Sequence, residues 1–375
     1  MTPPTIVRAC RATLIDSDGR EYIDMFSANG TAWLGHSDPA IVTAIQRQLD
    51  AVSITGSLPT PAFAAARDAL AQWIPDDYQL AGLTSSGMEA FEFATRIARV
   101  ATRRNHLLGF SGNMHGKSAV ACYLGWDNND LLDLPHCLRL PYVAERCEED
   151  ILALVEEHLG DNHVAAICIE PIQASNGGHR PNNAFFQQIA SLAAAQRTCV
   201  IFDELLTGFH RTGPAFFFQH VGVAPDILLL GKALGNGFPV SAVMVRRPLH
   251  VSPAMLPGST YAGNPLAATA VAATLHRMHE LSLSAKLPWI EQHLCQLAKR
   301  LAARSITVRG MGAMWFVELP TETAMRKLAE RIYASGIAIG FSRRWLRLLP
   351  PVTIEPDRLQ FACDTICRCI EQLCE

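Results

Sequence analysis

Two apolar runs in the middle of the chain end in residues able to do chemistry. Val200-Ile201-Phe202 runs into Asp203 and Glu204, and Ile227-Leu228-Leu229-Leu230 passes through Gly231 into Lys232. An acid at the end of a buried strand points into the crevice where open sheets bind ligands. The same residue also serves as an ordinary helix N-cap. A lysine at such an end is costly unless its charge is paired or removed. Schiff-base formation with a carbonyl compound removes it, and snorkelling to solvent is the plainer solution. Gly235 and Gly237 follow and let the backbone approach a ligand closely. Upstream, Ser86-Gly87-Met88 stands just before a helical run that begins at Glu89. Unpaired N–H groups and the helix dipole at that end suit an anion, and a serine with a glycine equally makes a cap and a turn.

The elements that would carry these residues alternate along the chain. Strands are predicted at His106–Phe110, Val164–Glu170, Thr198–Phe202, Ile227–Leu230 and Val240–Val245. Helices are predicted at Glu89–Thr102, Glu148–His158 and Phe185–Gln196. This rhythm predicts an α/β fold: a mainly parallel sheet with helices on both faces. The ends differ. Thr13–Ile15 and Glu21–Met25 flank Asp16-Ser17-Asp18-Gly19, which reads as a hairpin. A long helix over Pro288–Ala303, strands at Ile306–Val308, Met314–Glu318 and Trp345–Leu348, and a closing helix over Glu355–Leu373 are expected. The domain division is therefore 41–275 for the large domain, with 1–40 and 276–375 packing together as a smaller α+β domain.

With 49% hydrophobic residues over 375 positions, the chain can bury a large core and a second, smaller one. Its 32 basic and 35 acidic residues leave a net charge of −3 and no basic stripe, which argues against nucleic acid as a partner. No run approaches the roughly 18 apolar residues of a membrane span, and the first ten residues carry no signal-like run; a cytoplasmic protein is expected. The 11 cysteines do not resemble a disulfide framework. Cys363, Cys367, Cys369 and Cys374 crowd the last helix, where a metal is conceivable and reduced, apolar packing is the simpler reading.

Several segments, in order along nearly the whole chain, resemble the class III aminotransferases. Residues 203–213 read D-E-L-L-T-G-F-H-R-T-G and residues 231–239 read G-K-A-L-G-N-G-F-P. Leu34-Gly35-His36, Thr84-Ser85-Ser86-Gly87-Met88-Glu89, His115-Gly116, Glu170-Pro171-Ile172-Gln173 and Thr260-Tyr261-Ala262-Gly263-Asn264-Pro265 match further signatures, as does Arg347 with the prolines after it. The resemblance implies a transferase of fold type I with a seven-stranded sheet, bound to pyridoxal 5′-phosphate (PLP). Lys232 would carry the cofactor and shuttle protons, and Asp203 would hold its pyridine nitrogen protonated. Ser86, Gly87 and Met88 would take the phosphate, with Thr260 donating a hydroxyl to the neighbouring subunit's phosphate in a homodimer with shared active sites. Met114, His115, Glu170 and Leu205 would surround the cofactor. Arg347 would grip a substrate carboxylate, its alternative being a surface salt bridge, with Trp33 and Ser175 beside the substrate.

Three positions depart from the family. Met114 stands where an aromatic residue usually stacks on the cofactor ring, and Leu206 replaces a glutamine that meets the ring hydroxyl. Ser175 stands where a glutamate often neutralises the carboxylate-binding arginine. Arg347 should then remain charged, which disfavours ornithine-type or 4-aminobutyrate-type substrates. The reaction implied is amino transfer from an amino acid donor to a keto acid or aldehyde. The alternatives are a glutamate-1-semialdehyde aminomutase-like isomerase, an epimerase, and a non-catalytic protein on the same fold.

Overall fold

The computed structural model describes residues 4–56, 58–126, 134–247, 249 and 258–374. A seven-stranded sheet forms the centre, in the spatial order Tyr78–Thr84, Ser241–Arg246, Ile227–Leu230, Cys199–Asp203, Val164–Ile169, His106–Phe110, Cys137–Leu140. Ser241–Arg246 runs antiparallel to both its neighbours, and the other pairs are parallel.

Alternate residues of these strands enter two separate apolar layers. Val200, Phe202, Leu228, Leu230, Ala242 and Met244 join one core. Ile201, Ile227, Leu229, Val243 and Val245 join the other. A strand buried on both faces reads as an unbroken apolar run, which is why Ile227–Leu230 stands out in the sequence. The helix Gly87–Thr102 covers the second layer with Phe91, Ala94 and Ile97. Phe185, Phe186 and Ile189 of the helix Asn183–Ala195 cover the first.

The N-terminal strands Ile6–Cys10, Thr13–Asp16 and Glu21–Asp24 form a second sheet, completed in parallel by Ile337–Ala338. The Asp16 carboxylate closes the expected hairpin turn, accepting from the Asp18 and Arg20 N–H groups and from the Tyr22 hydroxyl. A third sheet joins Val308–Met311, Met314–Glu318, Trp345–Leu348 and Gly340–Ser342.

Several expected elements shift by a residue or more, two of them for a visible reason. The long helix begins at Leu283, so Pro288 lies inside it and removes one bond to the Ser284 carbonyl. The strand expected at Ile306 begins at Val308, because its partner register runs from Val308–Val317 to Met311–Met314. Among the described residues, no helix is long and apolar enough to cross a membrane, and no group of three or more His, Cys, Asp or Glu is placed to hold a metal ion. Cys363, Cys367 and Cys369 are buried and unpaired in the last helix; the Cys374 side chain lies outside the described residues.

Candidate active site

Asp203 ends its strand directly opposite Leu229, so Lys232 lies three residues further along the neighbouring strand end. Lys232 itself is left-handed (φ +44°) and opens a tight turn over Lys232–Gly235. A non-glycine residue in that region is held there by its surroundings. Asn236, also left-handed, supplies them: its side chain donates to the Gly35 carbonyl and accepts from the Leu34 N–H.

Burial lowers the Lys232 pKa from the usual lysine value. Asp203 and Glu170 oppose that, while Arg347 and Arg211 push the same way as burial. All four charges are therefore within electrostatic reach of the amine. Glu170 is buried, accepts from the Met114 and Ala174 N–H groups (2.8 and 3.1 Å), and is pushed upward by burial and then by Asp203.

Asp203 is 4% exposed. Its Oδ1 accepts from the Leu205 N–H, and its Oδ2 lies 2.7 Å from His115 Nδ1. The imidazole is stacked on Phe91 with ring centres 4.3 Å apart. Its far nitrogen meets Asn113 Nδ2 at 3.2 Å, and Gln173 Nε2 donates to Asn113 Oδ1. Glu204 faces elsewhere: it caps the short helix Phe217–Val221 by accepting from the Phe217 and Phe218 N–H groups, and burial pushes its carboxyl up to about 7. Asp203 thus stands at the crevice and Glu204 is the cap.

Ser86 is indeed a helix cap, its Oγ accepting from the Glu89 N–H, while Glu89 accepts from Ser85. The cap does not consume the anion site. The Gly87 and Met88 N–H groups, in the first turn, have no acceptor among the described residues. A Cβ on Gly87 would sit 2.5 Å from Leu205, one on Gly231 also 2.5 Å from Leu205, and one on Gly116 2.7 Å from Met88. Helix start, Lys232 turn and His115 loop therefore converge on Leu205 and Met88, leaving a cradle that glycine keeps open. A buried acid, a neutralisable lysine and a free helix N-terminus in one crevice fit the pyridine, carbonyl and phosphate of PLP.

Arg347 lies over Phe26 at 5.0 Å, donates to Asn29 Oδ1 at 2.9 Å, and leaves its buried Nε without a partner among the described residues. Ser175 and Met114 are half-buried, and Thr260 is exposed, in a groove with Thr84 and Glu89. Trp33, expected beside the substrate, belongs to the core. It is fully buried, its indole N–H donates to the Phe209 carbonyl, and Arg211 lies 3.8 Å from its ring. Its size and apolar body fill the junction. Asn29, Asn113 and Arg211 were not picked out by sequence reasoning. Arg211 had a signal, its place in the 203–213 motif; the two asparagines had none.

The sheet order, the single antiparallel strand and this crevice define a PLP-dependent transferase of fold type I. The aminotransferase class-III family model matches residues 1–370. The chain belongs to the class III aminotransferases, and its chemistry is PLP-dependent transamination. It is 32% identical to a 2-aminoadipate transaminase of Pseudomonas putida, over 99% of this chain and 96% of that one. It is also 32% identical to an acetylornithine aminotransferase of Methanopyrus kandleri, over 96% and 92%. The solved ornithine aminotransferase of Toxoplasma gondii matches with a TM-score of 0.87 at 27% identity, covering 100% of this chain and 93% of that one. These relatives are transaminases by name, which favours amino transfer over the aminomutase and epimerase readings.

Proposed function

We propose that the enzyme takes the amino group of an α-amino acid such as glutamate or alanine, held at its carboxylate by Arg347, and passes it to a keto acid or aldehyde. The observation that carries this is the crevice of Lys232 and Asp203 with a half-buried arginine whose Nε lacks an acceptor among the described residues. When bound, PLP supplies an electron sink for the pair left behind when the substrate Cα loses its proton. The protein's part follows from its own groups. Lys232 Nζ, its basicity reduced by burial, takes the proton at Cα and returns it to the cofactor side. Asp203 holds a positive ring nitrogen in place, and His115 fixes the carboxylate that does so. Gly87 and Met88 donate to the phosphate. Leu205 and Met114 would pack against the cofactor, and Glu170 holds the Met114 backbone by accepting from its N–H. Arg347 offers a planar fork for a carboxylate, and Ser175 beside the loop brings no charge to neutralise it.

A homodimer with shared sites is part of this reading. Thr260 is exposed, and so are the large apolar side chains of its neighbour Tyr261 and of Met88. The small domain is proposed as residues 1–40 with 276–375, supported by the strand pairing of Ile23 with Ile337. A cytoplasmic location is supported by ten described cysteines without a disulfide, which suits a reducing compartment.

The test is chemical. Borohydride reduction of the purified holoenzyme, followed by peptide mapping, should find the cofactor on Lys232. Adding glutamate without an acceptor should bleach the yellow colour and release one keto acid per site. A different modified lysine, or a spectrum that returns with scrambled stereochemistry, would overturn the proposal. Efficient turnover of ornithine or 4-aminobutyrate would overturn the role given to Arg347.

A further inference from the structure

Residues Ser27, Ala28, Asn29 and Gly30 are all left-handed, with φ of 48°, 48°, 62° and 81°. Such a run is unusual for L-residues, and several bonds hold it in place. The Asp24 carboxylate accepts from the Phe26 and Ser27 N–H groups, Ser27 Oγ donates to the Leu349 carbonyl, and Arg211 donates to the Gly30 carbonyl. The turn is thereby fastened to the segment just after Arg347. Its outcome is to aim Asn29 Oδ1 at Arg347 Nη2, 2.9 Å away.

We propose that Asn29 is a specificity-determining positioning residue, which orients Arg347 through a neutral oxygen and so adds no countercharge to the guanidinium that takes a substrate carboxylate. An aspartate at this place would give the same hydrogen bond and also cancel the charge, freeing the pocket for amines without a carboxylate. An amide oxygen orients without cancelling. No carboxylate is paired with Arg347 among the described residues, and its buried Nε keeps a donor unspent. Asparagine also suits the backbone, since it tolerates the left-handed region better than most residues. The inference rests on the reading of Arg347 as the carboxylate site.

The experiment compares Asn29→Asp, Asn29→Gly and Arg347→Met holoenzymes, all checked for an unchanged thermal midpoint. Glutarate binding is measured by calorimetry, and KM and kcat with glutamate and with 1-phenylethylamine. Asn29→Asp should weaken glutarate and raise the glutamate KM by about tenfold, with kcat within about threefold and the carboxylate-free amine unaffected or improved. Asn29→Gly keeps the backbone and should show a smaller loss confined to carboxylates. If Arg347→Met leaves glutarate binding intact, the carboxylate site itself is misassigned. If Arg347→Met abolishes it while Asn29→Asp binds glutarate like the parent, or weakens both donors alike, the role of Asn29 is overturned.

Discussion

Asp203 Oδ2 and His115 Nδ1 stand 2.7 Å apart in a region closed to solvent, and a chain of amides behind the imidazole fixes which nitrogen carries the proton. Asn176 donates to Gln173 Oε1, Gln173 Nε2 donates to Asn113 Oδ1, and Asn113 Nδ2 is left to donate to His115 Nε2. The tautomer that completes this chain carries its N–H on Nδ1, donating to Asp203. Replacing Asn113→Asp reverses the last donor. A carboxylate there sets a second acceptor against the imidazole, competing with Asp203 for its N–H. We expect kcat to fall about tenfold or more with KM little changed; steady-state kinetics with unaltered kcat would refute the relay.

Leu205 is boxed between two glycines. Its side chain would stand 2.5 Å from a Cβ at Gly87 on one side and 2.5 Å from a Cβ at Gly231 on the other. Moving one methyl away from Gly87 presses the other towards the Gly231 backbone. Gly87→Ala should therefore cost about 1–3 kcal/mol of stability and weaken PLP binding, read by equilibrium dialysis. Adding Leu205→Val should restore part of both. Parental cofactor affinity in Gly87→Ala would show that the cradle is looser than this contact implies.

The sheet was legible because its strands are buried on both faces and read as apolar runs. Ile227–Leu230 and His106–Phe110 match to the residue. Tyr78–Thr84 was not legible: it contains Gln79, Ala81 and Gly82, and is a strand because Ser241–Arg246 pairs with it. The helix Pro265–Glu280 was also missed, since its alanine-rich faces show little contrast between buried and exposed positions. At the site, Lys232, Asp203 and the Ser86 turn announce themselves by standing at the ends of periodic segments. Asn29 and Asn113 act through partners hundreds of residues or a loop away, and local pattern carries no trace of that. Local pattern likewise gives no sign that Arg211 lies on the Trp33 ring.

Arg211 is the polar pin between the large sheet and the N- and C-terminal segments. It is 1% exposed and donates to the carbonyls of Gly30 and Pro350 at 3.1 and 3.0 Å, with Ala313 at 3.4 Å. Burial brings its pKa down to about 9, with Asp24 opposing. Its flat group rests on Trp33 and forks to carbonyls on two segments, which an ammonium cannot reproduce. Arg211→Lys should lower unfolding stability by about 3 kcal/mol, measured by urea unfolding. It should also raise the KM for amino donors, because Gly30 and Pro350 flank the elements that carry Asn29 and Arg347. A loss below about 0.5 kcal/mol would mean the carbonyls find water instead.

His179 gives the fold a pH dependence of known sign. Its carbonyl accepts from the Gln173 N–H, its ring meets the edge of Trp345, and its pKa is pushed down to about 4 by burial first and then by Arg309, with Arg344 adding and Glu318 opposing. In the unfolded chain the same imidazole titrates near 6.5. Between those values the unfolded state binds the extra proton, so stability falls as the pH is lowered. The contribution is complete above about 6.5 and is progressively lost towards about 4. His179→Gln should remove that part of the slope while leaving the loss from carboxylates. Unfolding free energies of the parent and the variant should therefore diverge at neutral pH and converge on acidification. Parallel curves across the window would mean that His179 is protonated in the folded protein as readily as outside it.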